Sequence, residues 1–343
     1  MSGSCLNQGS SQTASGTPGD AQALYRQGRA EWNKRTPDGL RQSLRLFEAA
    51  IEADPSLARA HAGLADAAAL LALYGVEPPG QMLPRALQAA RTALVFDRDL
   101  PSAHASLGLA LYLYERDFQA AGESFQQSIL LDPTSVEARQ WYAMMLIAQG
   151  HYLEAVEQFN DALGFQPDSF LAHVKLGSVL AALDDQTRSR RHLEVARRIN
   201  PDSSLLLRES ALALLRQDRF EEALRPLRKA VHLSPDDPAN WAVLGHVLAR
   251  HGQVDDAREV VRRLRRMADE SYVPPSDIAQ VLAGLGDLQE AFARLDEALD
   301  RNDPAIVYIK FKPTYEPLRG DPRYEPLLRR IGLPLPAGAG EAR

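Results

Sequence analysis

The chain has one cysteine in 343 residues, Cys5. A lone thiol excludes an internal disulfide framework. No stretch approaches the roughly 18 uninterrupted apolar residues of a membrane span, so none is expected. There is no excess of positive charge: 39 Lys and Arg stand against 45 Asp and Glu, a formal net charge of −6. That balance argues against a nucleic-acid partner, because neutralising phosphates needs net positive charge. The HExxH, GxSxG, Walker-type and GxGxxG signatures are also missing. Paired acids such as Asp184-Asp185, Glu221-Glu222 and Asp255-Asp256 fall where helices start and complement the helix dipole. No catalytic residue, cofactor or metal is expected, and the chain is not read as an enzyme.

What the sequence does have is a period. Five segments begin 34 residues apart, at Val136, Phe170, Ser204, Pro238 and Tyr272. Within each unit, position 8 is small: Gly28, Ala65, Gly108, Ala143, Gly177, Ala211, Gly245 and Ala279. Gly or Ala is what two closely approaching helices demand. Position 20 is Ala or Ser throughout, from Ser43 to Ala291. Position 24 is mostly large and apolar, as at Phe47, Phe125, Phe159 and Leu227. Pro55, Pro133, Pro167, Pro201 and Pro235 close units at position 32, where proline ends one helix and orients the next. The pattern predicts an all-α solenoid of stacked helical hairpins. His61, His104 and His173 share position 4 of first helices, and successive units set their rings too far apart for one metal. The arginines of second helices, such as Arg188, Arg190, Arg262 and Arg266, read as a solvated outer face laced with Glu194 and Glu259.

This set of positions resembles the tetratricopeptide (TPR) repeat, with about eight copies over 21–303. Insertions interrupt the first unit near Arg35–Gly39, the second at Tyr74–Gly80 and the third near Tyr114–Arg116. The resemblance implies a right-handed superhelix whose first helices line a concave groove. It also implies a non-enzymatic scaffold that binds a protein or peptide segment there. Carried onto the inward positions, it gives an aromatic half, Tyr25, Arg29, Trp32, Asp66, Tyr112, Gln140 and Met144. The other half is locally basic, Arg208, Arg216, His246, Arg250 and Gln280. Those arginines suit a partner of acidic character. The Lys/Asn clamp of chaperone-binding TPR proteins is absent. The Tyr74–Gly80 insertion is expected to project as a loop at one groove end.

Residues Glu31–Thr36, Ala62–Asp66, Trp141–Ala143, Tyr272–Ile278 and Pro317–Tyr324 are similar to C-terminal TPR regions of bacterial multidomain signalling and transcription regulators. This implies a regulatory or assembly role. The alternative reading is a small-molecule-sensing domain that controls an effector in another chain. Residues 304–333 predict a capping segment over the apolar face of the last hairpin, as solenoids require. The Ser/Gly-rich stretch 1–20 and residues 334–343 read as flexible tails. Stacking through an uncapped first hairpin would allow self-association. A cytoplasmic location is the default, the alternative being a lipid anchor on Cys5.

Overall fold

The computed structural model describes residues 18–335; Cys5, most of the N-terminal stretch and residues 336–343 lie outside them. Among the described residues every regular element is helical. Sixteen helices pair into eight antiparallel hairpins: α1 (Pro18–Asn33) with α2 (Pro37–Ala53), α3 (Ala58–Leu73) with α4 (Pro79–Phe96), and α5 (Pro101–Ala110) with α6 (Phe118–Leu131). Then come α7 (Val136–Gln149) with α8 (Tyr152–Phe165), α9 (Phe170–Ala182) with α10 (Gln186–Ile199), and α11 (Ser204–Leu215) with α12 (Phe220–Leu233). Last are α13 (Pro238–Arg250) with α14 (Val254–Glu270) and α15 (Pro275–Leu285) with α16 (Leu288–Asp300). Four of the five repeat starts, Val136, Phe170, Ser204 and Pro238, are the first residues of α7, α9, α11 and α13.

Local chemistry sets these boundaries. The hydroxyls of Ser135, Ser169 and Ser203 cap α7, α9 and α11 by accepting from the amides of Ala138, Ala172 and Leu206. Asp117, Asp185 and Asp287 do the same for α6, α10 and α16. Close packing explains the small residues. Phe47 of α2 lies between Gly28 of α1 and Gly63 of α3, and a Cβ at either glycine would sit 2.6 Å from its ring. The position-4 side chains have a role that periodicity alone does not reveal. His61, His104 and His173 place Nε2 2.9 Å from the carbonyls of Pro55, Arg98 and Pro167, each six residues back in the turn that precedes the hairpin. Arg139 and Trp241 donate to Pro133 and Pro235 in the same way. Each ring serves its own turn.

The two helices of a hairpin differ in kind. Second helices bury one stripe; α14 buries only Ala257, Val260, Val261 and Leu264. First helices after α1 are covered over more of their surface: every residue of α3 from Gly63 to Ala72 is buried. A helix apolar on all sides belongs in an interior, so something must cover the inner face of the array. Part of the cover is the array itself, whose curvature brings distant units together. Trp32 of α1 meets Trp141 of α7 edge to face at 6.4 Å. Arg116 donates to the carbonyl of Leu299 in α16.

The Tyr74–Gly80 insertion forms a short link rather than a long loop, because Pro79 already opens α4. Arg41 pairs with Glu77 at 2.7 Å, and a Cβ at Gly75 would lie 3.7 Å from Pro274 at the start of the eighth hairpin. Arg35 and Arg116 occupy the left-handed region at hairpin turns, with φ of 55° and 56°. That conformation costs a non-glycine residue about 1–2 kcal/mol. Arg35 is held by a local contact, on the Trp32 ring at 3.5 Å, and Arg116 by a remote one, on Leu299.

Candidate binding groove

The rest of the cover comes from the C-terminal segment. After Asp303 the chain makes one 3₁₀ turn over Pro304–Tyr308, another over Pro313–Leu318, and the short helix α17 (Tyr324–Ile331). α17 lies on the last hairpin, with Arg323 4.4 Å above the Phe292 ring and Arg330 paired with Asp296. The preceding residues run back along the first helices, beyond the cap that the pattern predicts. Tyr308 Oη lies 3.2 Å from Tyr112 Oη, 196 residues away in sequence. Phe311 packs on Tyr152 at 5.8 Å and under the Arg216 guanidinium at 4.9 Å, and Arg216 donates to the Phe311 carbonyl. Thr314 donates to Gln280 Oε1 at 2.9 Å, and the fully buried Tyr315 donates to the Ser276 carbonyl at 2.9 Å. The groove therefore holds a polypeptide through aromatic contacts, side-chain hydrogen bonds and two bonds to main-chain carbonyls, those of Phe311 and Ser276.

The residues named from sequence fall into two groups. Tyr112, Arg216 and Gln280 touch the segment directly. The others are engaged by the array. Tyr25 packs on Phe47 at 5.9 Å. Arg29 pairs with Asp66 at 3.1 Å, and Asp66 also accepts from Ser106 at 2.5 Å. Trp32 is fully buried rather than open to a partner. Gln140 donates to Ser169 at 2.8 Å, and Met144 packs half-buried on the core. Arg208 is tied to Asp237 at 2.8 Å and Asn240 at 2.7 Å. His246 bonds to the Gln280 carbonyl at 2.9 Å. Arg250 is exposed, 5.8 Å over Phe220. The basic half is thus interleaved with acids that the repeat positions did not flag: Glu209, which pairs with Lys175 at 2.6 Å, Asp277 and Asp303. Their signal was available, since Glu209 and Asp277 are each the single acid of their first helix.

Burial sets the protonation of this region. It pushes the His246 imidazole down to about 4. His192 is also lowered to about 4, by burial first and then by the ring of His173, whose Nδ1 is 3.0 Å from its own. Both are neutral in the folded chain at neutral pH. Their folded values lie below the unfolded value of about 6.5, so the stability they contribute is present above that pH and is lost as pH falls toward about 4. Burial raises Asp66 to about 6 and Asp277 to about 7, which works in the opposite sense: their protonation as pH falls favours the folded state. An NMR titration of the imidazole nitrogens should find His192 and His246 still neutral at about pH 5. Protonation of either near 6.5 would contradict their placement.

Comparison with known proteins points the same way. Two protein-family models, both described as tetratricopeptide repeat, match this chain, one over residues 110–170 and 144–204 and the other over 214–273. The transcriptional regulator HilA of Salmonella typhimurium is 26% identical over 148 residues, 43% of this chain and 27% of the regulator. The anaphase-promoting complex subunit CDC16 of Saccharomyces cerevisiae is 23% identical over 197 residues, 55% of this chain and 22% of that subunit. The matched stretches thus span about a quarter of these relatives' length. Among solved structures, the APC/C hetero-tetramer Cut9-Hcn1 superposes with a TM-score of 0.57 at 16% identity, covering 85% of this chain and 52% of that one. At that identity the likeness concerns the fold.

Proposed function

The chain is a tetratricopeptide-repeat protein, similar in its repeats to a bacterial transcriptional regulator, and from that premise we propose a non-enzymatic scaffold. Its concave groove binds a polypeptide segment of a partner protein in a regulatory or assembly pathway. One observation carries this reading: the groove already holds a polypeptide, residues 304–318 of the same chain, by side-chain contacts and two hydrogen bonds to main-chain carbonyls. The C-terminal segment acts as a ligand in cis, and a partner gains access by replacing it. A tethered ligand reaches an effective concentration on the order of millimolar. For a segment whose own intrinsic affinity is micromolar, any partner is then held off about a thousandfold while the segment is seated.

The test is affinity capture from the source lysate, comparing the wild-type chain with Tyr308→Ala, which removes the contact to Tyr112 and loosens the segment. A groove partner should be enriched several-fold by the variant. Equal enrichment would move the interaction to another face of the array. Within this reading, Arg216 and Gln280 are the groove residues that the partner segment meets in place of Phe311 and Thr314.

A further inference from the structure

The contacts that seat residues 308–315 each ask for a particular group. The hydroxyls of Tyr112 and Tyr308 belong to buried rings, and among the described residues each is the other's one hydrogen-bond partner. The Phe311 ring meets both the Tyr152 ring and the Arg216 guanidinium, and the same guanidinium donates to the Phe311 carbonyl, so ring and backbone are fixed together. Gln280 is turned one way: its Nε2 donates to Asp277 at 2.8 Å, which leaves Oε1 to accept from Thr314. The Ser276 carbonyl accepts from the Tyr315 hydroxyl. Both polar contacts at this end therefore require a donor, and a carboxylate placed there would meet an acceptor. Thr314 and Tyr315 are fully buried, so water does not replace a lost donor. Spacing is fixed as well. Tyr308, Phe311 and Thr314 follow at steps of three, which keeps side chains on one side of a 3₁₀ turn. Turns of that kind run over Pro304–Tyr308 and Pro313–Leu318, and between them the Phe311 amide donates to the Tyr308 carbonyl at 3.0 Å.

We propose that the groove selects, in its partner protein, a turn-forming segment with a tyrosine, an aromatic residue three positions on, a serine or threonine three further and a tyrosine directly after. The Tyr308–Tyr315 stretch is its intramolecular copy. This rests on the groove reading above and replaces the acidic partner that the repeat arginines suggest. The reason is that Arg208 is closed by Asp237 and Arg216 by a main-chain carbonyl, while Gln280 and Ser276 present acceptors. A site built to bond a hydroxyl discriminates strongly against a segment that lacks one.

Two measurements on the full chain test it. The first substitutes Thr314 alone and follows amide exchange over 304–318. Thr314→Ser keeps the donor and should stay near wild type. Thr314→Val keeps the shape without the donor and should raise exchange about tenfold. Equal exchange in the two variants overturns the donor requirement. The second uses a chain carrying Tyr308→Ala, Phe311→Ala, Thr314→Ala and Tyr315→Ala, which removes all four contacts. Protection retained over 304–318 in that chain would mean that these contacts do not hold the segment, and overturns the proposal. With the segment exchanging freely, fluorescence anisotropy compares three labelled peptides of residues 303–316: the natural one, one with Thr314→Glu, and one with an alanine inserted between Phe311 and Thr314. The natural peptide should bind about tenfold more tightly than either. Equal binding of the three overturns the proposal and leaves the groove reading standing. Binding of none overturns both.

Discussion

Trp32→Ala is expected to destabilise the chain by about 3–5 kcal/mol, the usual loss for a fully buried tryptophan. The indole has no exposed surface and meets Trp141 at an interplanar angle of 83°. The guanidinium groups of Arg29 and Arg35 lie 4.0 and 3.5 Å from its ring centre, each adding about 0.5–2 kcal/mol in such settings. The contact joins the first unit to the fourth, so its loss removes more than a nearest-neighbour interface. Urea unfolding should report it as a fall in midpoint, with the first hairpin losing amide protection earliest. Trp32→Phe is the informative control. The indole Nε1 is buried with no acceptor among the described residues, and an unmet buried donor carries a penalty of about 1–3 kcal/mol. Phenylalanine loses ring area but sheds that penalty, so it should fall well short of the alanine loss. An alanine variant within about 1 kcal/mol of wild type would contradict the placement of this ring. Any loss of partner capture by Trp32→Ala must accordingly be compared with its loss of stability.

Tyr315→Ala should be equally severe but confined. The ring is fully buried and its hydroxyl donates to the Ser276 carbonyl. Truncation forfeits about 3–5 kcal/mol, and the Ser276 carbonyl loses its side-chain donor. Other buried side chains of the stretch, among them Ile306, Val307, Leu318 and Leu328, keep their places, so the loss loosens the chain around Tyr315. The repeats should stay folded, since each hairpin packs chiefly on its neighbours. Amide exchange and limited proteolysis should therefore show one newly mobile stretch between Asp303 and α17, with helix content nearly unchanged. Unchanged protection there would mean that the segment is not held through Tyr315. Global unfolding would mean that the segment is part of what keeps the array closed, a role consistent with its contacts to Tyr112, Tyr152 and Arg216.

How much of the site could be read beforehand depended on the distance over which each residue acts. Asp66 and Arg29 were named as groove residues, and they pair with each other across adjacent first helices, 37 residues apart. Arg208 was named for its charge, but its neutralisation by Asp237 at the next turn depends on how two hairpins dock. Tyr112 was named as an aromatic anchor, and the structure supplies what it anchors, Tyr308. Asp303 escaped the repeat frame altogether, because its carboxylate reaches the Ser276 amide only once the eighth hairpin has closed.

The sequence by itself determined the hairpins, their number and their register. The contacts that make them recur between residues a few turns or one 34-residue unit apart, and the sequence writes them as small, large and capping residues at fixed offsets. Gly28 against Phe47 is such a contact. Only the tertiary structure decided what fills the inner face. A small rotation from each unit, summed over eight, sets the width of the groove and brings Trp32 to Trp141 and Tyr112 to Tyr308. No periodic signal marks such pairs, because each occurs once and depends on the curvature of the whole array.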